Sequence, residues 1–353
     1  MNQYLYIAIA VVCAFCISVS LTPVIRTLAY RLKVTDIPKD NRRMHTKEMP
    51  LMGGLAIFLA FVVTTLIFCE IDKRVIGMLL GAVFIVVTGI IDDKYDMNAF
   101  LKLFLQIVAA VIAVLSGISM DHLTFFGTTI DFGPFSGVVS VIWIVALTNA
   151  INLIDGLDGL SCGVSTIASV TLFISLLHTY TPVNVIMMIA ILAGSCMGFL
   201  PFNFNPAKIF MGDTGALFLG YTMSVLSILG CFKFNAIVSL WVPFLIFALP
   251  IVDTAFAFTR RILHGQSPFT ADRGHLHHRL IDRGFDQKHA VLILYAVSGI
   301  SGISAILISI GNFYGGLAVI AVALVILYLN MLYSSEKKEN DPAAAKNTET
   351  NNK

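Results

Sequence analysis

Residues 75–93 read VIGMLLGAVFIVVTGIIDD, an uncharged run of 17 residues that stops abruptly at two aspartates. A helix needs about 20 mostly apolar residues to cross a bilayer, and similar runs recur along the chain. Hydrophobic residues make up 57% of the 353 residues and charged residues only 12%, against about 45–50% and about 25% in soluble domains. The composition therefore predicts an all-α polytopic membrane protein.

About eleven apolar runs are long enough to be spans. Their predicted extents are 4–24, 51–70, 75–91, 101–119, 136–153, 160–178, 184–201, 214–231, 236–262, 289–310 and 313–333. We expect one transmembrane domain over residues 1–333. The polar tail 334–353 has the composition of a disordered segment. Alternating residues in segment 121–134, on either side of Gly127, predict a small β-hairpin.

Basic residues are distributed unequally between the two predicted sides of the membrane. Of the 23 Lys and Arg residues, only Lys73, Arg74 and Lys233 fall in loops after even-numbered runs. The other 20 fall after odd-numbered runs or in the C-terminal tail. Since short cytoplasmic loops retain Lys and Arg, we expect the N-terminus and the hairpin outside and the C-terminus in the cytoplasm.

Two acidic motifs lie at the cytoplasmic ends of predicted spans. Asp92 and Asp93 form an adjacent pair, which is costly at a membrane edge unless a cation or a proton transfer uses it; a solvated helix end is the alternative. The second motif, NAINLIDGLDGL at 149–160, places Asn149, Asn152 and Asp155 three residues apart, with Asp158 following. Spacing by three puts such residues on one face if the helix continues through them. Carboxylates and amides there predict a site for Mg²⁺ and a phosphorylated substrate.

A third motif, FNFNPAKIFMGDTG at 202–215, joins two predicted spans on the same side. Asp213 could cap the following helix. A helix N-terminus beside glycines and Lys208 is also an anion site. Asn203 and Phe210 are candidates to hold a nucleotide base.

The fourth motif, HLHHR, contains His275, His277 and His278 and follows Arg260 and Arg261. Three close histidines are compatible with zinc. Surrounding arginines favour pyrophosphate, because guanidinium groups bind phosphate oxygens in pairs. Phosphate binding is therefore the preferred interpretation.

The first predicted cytoplasmic loop adds Arg42, His45 and Lys47, followed by Gly53 and Gly54. By itself it is a basic segment that anionic lipid headgroups would attract. Together the five motifs combine carboxylates for Mg²⁺ with cationic groups for phosphates, which suits phosphoryl transfer.

These residues closely resemble the bacterial polyprenyl-phosphate N-acetylhexosamine-1-phosphate transferase family, over about residues 20–290. The first loop and the HLHH motif resemble the N-acetylglucosamine branch, which acts in teichoic acid and O-antigen synthesis. The muramoyl-pentapeptide branch ranks second, and the dolichyl branch matches less well around Asp155.

The resemblance implies roles for individual residues. Asp92 and Asp93 lie near the lipid phosphate and one of them is a candidate base, while Asp213 and Asn152 bind Mg²⁺ or, in its place, Mn²⁺. Contacts with Mg²⁺ and substrate are implied for Asn149, Asn152, Asp155 and Asp158, uracil binding for Asn203 and Phe210, and pyrophosphate and sugar binding for Arg260, Arg261, His275, His277 and His278. Arg42 and His45 match the first-loop pattern.

The function expected from this resemblance is transfer of N-acetylglucosamine 1-phosphate from UDP-N-acetylglucosamine to undecaprenyl phosphate in the bacterial plasma membrane, with release of UMP. A direct attack and a two-step route through a phospho-aspartate stay open, as do the identity of the UDP-sugar and a homodimer. Nothing indicates nucleic-acid binding. A secondary transporter of an anionic solute is the alternative from another class, although transporter sites lie near the bilayer midplane, where Asp253 is the main charged residue.

Overall fold

The computed structural model describes residues 3–37, 48–125, 128–232, 238–265 and 274–325. Its helices, in chain order, are α1 (Gln3–Leu32), α2 (Gly54–Phe68), α3 (Lys73–Tyr95), α4 (Ala99–Leu115), α5 (Ser136–Leu153), α6 (Leu160–Leu176), α7 (Val183–Asn203), α8 (Gly212–Gly230), α9 (Val238–Ile246), α10 (Ala248–Leu263), α11 (Leu276–Asp282), α12 (Gln287–Ser309) and α13 (Phe313–Val325). A 3₁₀ turn at Gly133–Phe135 leads into α5. Arg42, His45, Lys47 and the tail 334–353 lie outside the described residues.

Two short antiparallel strand pairs accompany the helices. Strand β1 (Thr35–Asp36) pairs with β2 (Met49–Pro50), on either side of the first loop. Strand β3 (His122–Phe125) pairs with β4 (Thr128–Asp131), with His122 opposite Asp131. The second pair confirms the predicted hairpin.

Within the described ranges, five helices have the length and apolar composition to cross a membrane: α1, α3, α5 with its 3₁₀ turn, α7 and α12. Helices α2, α4, α6 and α13 are apolar but shorter. Large apolar side chains such as Leu80 of α3 and Phe104 of α4 are more than half exposed, as lipid-facing residues are. The chain is a polytopic helical membrane protein.

Helix α8 lies at the centre of the bundle. Every residue from Thr214 to Gly230 is buried, as expected of a helix that is apolar on all sides. It packs against α3 and α5, and Phe58 and Phe61 of α2 meet the ring of Phe218 edge-on at 5.4 and 5.8 Å between centroids. Any group at the N-terminus of α8 is therefore held by the rigid core.

Helices α1 and α7 approach closely because glycines line their contact. A Cβ atom on Gly194 would lie 2.6 Å from the carbonyl oxygen of Val11, and one on Gly198 would lie 2.5 Å from that of Phe15. Small residues let helix backbones pack tightly where lipid offers no hydrophobic driving force between helices.

The predicted span 236–262 is not one continuous helix. It divides at Phe247 into α9 and α10. Pro250 lies in the first turn of α10 and lacks the N–H group that would bond to the carbonyl of Ile246. Proline is tolerated in a first helical turn, where that N–H has no intrahelical partner, so the break falls just before it.

Candidate active site

A cavity of about 1010 Å³ opens where α3, α5 and α7 end and where α6, α8 and α12 begin. This volume is at the upper end of the range for ligand sites. Nine of the predicted site residues line it: Asp92, Asp93, Asn152, Asp155, Asp158, Asn203, Phe210, Asp213 and His278. Motifs far apart in sequence thus share one cavity.

The ammonium group of Lys102 lies among the acidic side chains. Its Nζ atom is 2.7 Å from Asp92 Oδ2 and 2.9 Å from Asp213 Oδ1, and it donates to Asn152 Oδ1 at 3.3 Å. Asn152 also donates from Nδ2 to Asp213. Helices α3, α4, α5 and α8 are thereby joined by one network of charges. Partly buried ion pairs of this kind are screened far less than surface pairs.

Asp93 points away from its neighbour and caps α8. Its Oδ1 accepts the backbone N–H of Asp213 at 2.7 Å. Its Oδ2 accepts the backbone N–H of Thr214 at 3.1 Å and the Thr214 hydroxyl at 2.6 Å. The suggestion that Asp213 caps this helix is wrong, because Asp213 is its second residue and the cap comes from α3. A carboxylate at a helix N-terminus also interacts favourably with the helix dipole.

Asp155 and Asp158 occupy the turn between α5 and α6. Asp158 Oδ2 accepts from Asn205 Nδ2 at 3.1 Å and from the backbone N–H of Ala207 at 3.0 Å, so it anchors the loop before α8. No described residue donates to the carboxyl group of Asp155. Burial and the nearby carboxylates of Asp213 and Asp93 raise the pKa of Asp155 well above its usual value, because both disfavour the charged form.

The predicted common face of Asn149, Asn152 and Asp155 is not observed, since α5 ends at Leu153. Asn149 instead exchanges two hydrogen bonds with Gln106 of α4, at 2.5 and 3.3 Å. It lies outside the cavity lining. Its predicted contact with substrate stays a prediction.

The loop before α8 is clamped by the end of the first loop. Phe210 donates its backbone N–H to Pro50 at 2.9 Å and accepts that of Gly53 at 3.0 Å, and Gly54 donates to Met211 at 2.9 Å. A Cβ atom on Gly54 would lie 2.0 Å from the Cα atom of Gly215. The two glycines therefore permit close backbone packing, which orients Phe210 on the cavity wall.

The three histidines form a ladder that starts at the cavity. His278 lines it, the ring of His277 lies 4.3 Å behind between centroids, and His275 stacks on His277 at 5.8 Å. Burial first, and the rings of His278 and His275 as well, lower the pKa of His277 to about 3, so it is uncharged near neutral pH. His277 packs against Gly156, where a Cβ would lie 2.3 Å from its Nε2.

The remaining predicted substrate-binding residues lie outside the cavity lining. Lys208 is exposed, with its Nζ 5.9 Å from the centroid of the Phe202 ring. Arg260 donates to the carbonyl of Gly274, next to the histidine ladder, at 3.3 Å. Arg261 is buried on α10.

Asn203 is in the cavity, but it donates to the carbonyl of Ile209 at 3.1 Å and so also braces the loop before α8.

Sequence reasoning missed two residues that line the cavity, Lys102 and Gln287, and also Gln106, which holds Asn149 outside the cavity lining. Lys102 and Gln106 are polar residues one turn apart in an apolar helix, and an intramembrane charge of this kind is a functional signal that was available. Gln287 lines the cavity and its Oε1 accepts from Asn205 at 3.0 Å. No pattern in the sequence distinguishes it from an ordinary polar residue at the start of a helix.

The oxygen donors of the site fit a hard divalent cation. Asp213 Oδ1 and Asn152 Oδ1 both accept from Lys102 Nζ and so lie close together, and carboxylate and amide oxygens are suitable Mg²⁺ ligands when substrate phosphates complete the shell. Within the described ranges, no group of three or more His, Cys, Asp or Glu side chains is already arranged around a metal position. The ammonium group of Lys102 balances the acidic charge instead.

The comparisons with known proteins agree with this geometry. A family model described as glycosyl transferase family 4 matches residues 75–231. A probable undecaprenyl-phosphate N-acetylglucosaminyl 1-phosphate transferase of Bacillus subtilis is 39% identical over 330 residues, covering 91% of each chain. The chain belongs to the polyprenyl-phosphate N-acetylhexosamine-1-phosphate transferase family.

Two further relatives show the breadth of this transferase family. The decaprenyl-phosphate N-acetylglucosaminephosphotransferase of Mycobacterium leprae is 33% identical, covering 80% of this chain and 79% of its own. The phospho-N-acetylmuramoyl-pentapeptide-transferase of Staphylococcus aureus is 30% identical, covering 87% and 99%. The higher identities belong to relatives named for N-acetylglucosamine. Membership in a transferase family removes the support for a transporter.

Proposed function

We propose that this enzyme transfers N-acetylglucosamine 1-phosphate from UDP-N-acetylglucosamine to undecaprenyl phosphate and releases UMP. The observation that carries the proposal is the network of Asp92, Lys102 and Asp213, which shares a cavity with Asn203 and Phe210. Carboxylates and a buried ammonium group suit a pyrophosphate, and an aromatic ring beside an amide suits a uracil base. The relatives named for N-acetylglucosamine support the choice of sugar.

In the proposed reaction, an oxygen of the lipid phosphate attacks the sugar-linked phosphorus of the nucleotide. The bond from that phosphorus to the bridging oxygen breaks, and UMP leaves with the electron pair. Asp92 accepts any proton that remains on the lipid phosphate, and Asp155, which has no described donor, is the second candidate for this role. His278 and Lys102 balance the negative charge that moves to the leaving group, since phosphoryl transfer depends mainly on positioning and charge stabilisation.

Asp213 and Asn152 would hold Mg²⁺, which when bound supplies charge neutralisation to the pyrophosphate. A two-step route would place the sugar phosphate on an aspartate before the lipid attacks. We favour direct attack, because four of the five motif aspartates that line the cavity, namely Asp92, Asp93, Asp158 and Asp213, are already engaged by donors from the protein. Incubation with labelled nucleotide sugar and no lipid should leave the enzyme unlabelled, and a trapped covalent sugar phosphate would overturn direct attack.

The experiment for the function measures UMP release by the purified enzyme in detergent with undecaprenyl phosphate. UDP-N-acetylglucosamine should give at least about tenfold higher kcat/KM than UDP-N-acetylgalactosamine or UDP-N-acetylmuramoyl-pentapeptide, a difference of about 1.4 kcal/mol. The muramoyl-pentapeptide nucleotide is the second candidate, because a relative named for it is 30% identical. If the assay showed a preference for the muramoyl-pentapeptide nucleotide, the sugar assigned to this enzyme would change. If UMP were released from no UDP-sugar, the proposal that the protein is a transferase would be refuted.

We infer that the cavity faces the cytoplasm and that eleven spans place the N-terminus and the β3–β4 hairpin outside. The support is the charge distribution, because 20 of the 23 basic residues fall in the predicted loops after odd-numbered runs or in the tail. Thr129→Cys on the hairpin should react with a membrane-impermeant thiol reagent on intact cells, and Lys288→Cys at the start of α12 should react only after lysis. The opposite labelling pattern would invert the orientation.

A further inference from the structure

Asp253 is a buried carboxylate inside the apolar helix α10, with 2% of its surface exposed. An ionisable side chain in such a position is costly, and it persists where specific partners compensate for the lost hydration. It does not line the cavity. The reaction described above gives it no part.

The two oxygen atoms of Asp253 make two different contacts with the segment that begins α11. Oδ2 lies 2.9 Å from Nδ1 of His275, and Oδ1 accepts the backbone N–H of Leu276 at 2.8 Å. His275 precedes α11 and makes no side-chain cap of its own. Asp253 therefore fixes both the backbone at the start of α11 and the orientation of the His275 ring.

These contacts reach the cavity through the histidine ladder. The rings of His275 and His277 are nearly parallel, with an angle of 7° between their planes, and His277 contacts His278 on the cavity wall. His277 also fits against Gly156 in the turn that carries Asp155. Because side chains in a packed interior cannot shift independently, a change at His275 is transmitted to His278.

We propose that Asp253 is a positioning residue for the transferase, which acts through His275 to hold the proton on Nδ1 of that ring and to set the place of His278 in the cavity. The proposal rests on the proposed function for its kinetic consequence. A carboxylate that accepts from a ring N–H fixes the tautomer and the ring orientation, and the loss of such a partner at metal sites typically costs 10–100-fold in activity.

The side chain at position 253 must accept two hydrogen bonds at once. Asparagine has the same shape and can still accept from Leu276 with its oxygen. Its NH₂ group, however, is a donor, so it would face Nδ1 of His275 and favour the tautomer with the proton on Nε2. Asp253→Asn thus separates the histidine contact from the backbone contact.

Asp253→Asn should lower kcat for UMP release about 10–100-fold, leave KM for undecaprenyl phosphate within about twofold, and leave Tm in detergent almost unchanged. Asp253→Glu, which retains the carboxylate, should recover part of the rate. In a His275→Asn background, Asp253→Asn should cost little more, because the residue through which it acts is already gone. Asp286→Asn is the matched control, since Asp286 also accepts from a histidine, His289, and from a backbone N–H, but is exposed.

A second measurement is independent of turnover. Nitrogen-15 NMR of histidine-labelled protein in bilayers, with His275 assigned from the His275→Asn spectrum, should show Nδ1 protonated in the wild type and Nε2 protonated in Asp253→Asn. The same tautomer in both proteins, or a variant kcat within twofold of an active wild type, would overturn the proposal. An inactive wild type with the expected tautomer change would instead count against the proposed function and in favour of the Asp253–His275 contact.

Discussion

Asp213→Asn should reduce kcat by about 1000-fold or more, the upper part of the range for loss of one preorganised electrostatic contact. Asp213 Oδ1 is the shared acceptor for Lys102 and Asn152, so the substitution removes the charge on which both converge. In the proposed reaction it also removes the anionic ligand of Mg²⁺. The measurement is single-turnover UMP release across a wide range of Mg²⁺ concentrations, and no concentration should restore the rate.

Folding should survive this substitution. Lys102 keeps its shorter contact with Asp92, and asparagine still offers an oxygen acceptor to Asn152. Tm in detergent should stay close to that of the wild type. The matched control is Asp72→Asn at the opposite end of α3, where Asp72 caps the helix by accepting from Val75. A near-normal rate for Asp213→Asn with Asp72→Asn unaffected would show that Asp213 is not the metal ligand.

Much of the architecture could be predicted because the bilayer imposes it. Apolar runs of sufficient length predicted α1, α3, α5, α7 and α12, and the hairpin followed from alternation around Gly127. The break between α9 and α10 was missed because the mean hydropathy of an apolar run is hardly changed by one proline, here in the first turn of α10. The burial of α8 on all sides could not be separated from lipid exposure either, since both environments select the same residues.

The site was predictable in its membership and much less so in its contacts. Carboxylate, amide and histidine motifs at span ends identified nine cavity residues. Lys102 was missed, because a single lysine in an apolar helix looked like one more cytoplasmic charge. Asn149 and Asn152 look equivalent in sequence, yet α5 directs one to Gln106 and the other to Asp213. Such choices depend on which helices are neighbours, and one sequence does not specify that.

The pair Asp92 and Asp93 illustrates the same limit. Sequence reasoning treated the two as alternative bases. Both lie in the last turn of α3, which extends to Tyr95, and neighbouring residues on a helix point about 100° apart since there are 3.6 residues per turn. Asp92 accordingly meets Lys102 and the backbone N–H of Met97, and Asp93 meets α8. The structure therefore predicts different effects for substitutions at Asp92 and at Asp93.

Asp93→Asn should lower stability and activity together. Asparagine can accept with only one oxygen, and its NH₂ group would face the N–H and hydroxyl donors of Asp213 and Thr214. Loss of hydrogen bonds to a charged acceptor costs about 1.5–3 kcal/mol each, so the N-terminus of α8 should loosen. Gly212, with φ of +70° and a Cβ position only 2.5 Å from Asp93, leaves no room for another arrangement. Tm in detergent should fall by several degrees, and kcat by about 100-fold or more.

Asp92→Asn is the matched comparison, because it changes the adjacent carboxylate in the same helical turn. Asparagine there can still accept from Met97, and Lys102 retains Asp213, so Tm should change much less than in Asp93→Asn. Its rate should nevertheless fall strongly if Asp92 accepts the proton of the lipid phosphate, and raising the pH of the assay should recover part of it, since the lipid phosphate then arrives deprotonated. Equal losses of Tm in both variants would refute the division of roles, because a cap and a base differ in what they contribute before any substrate binds.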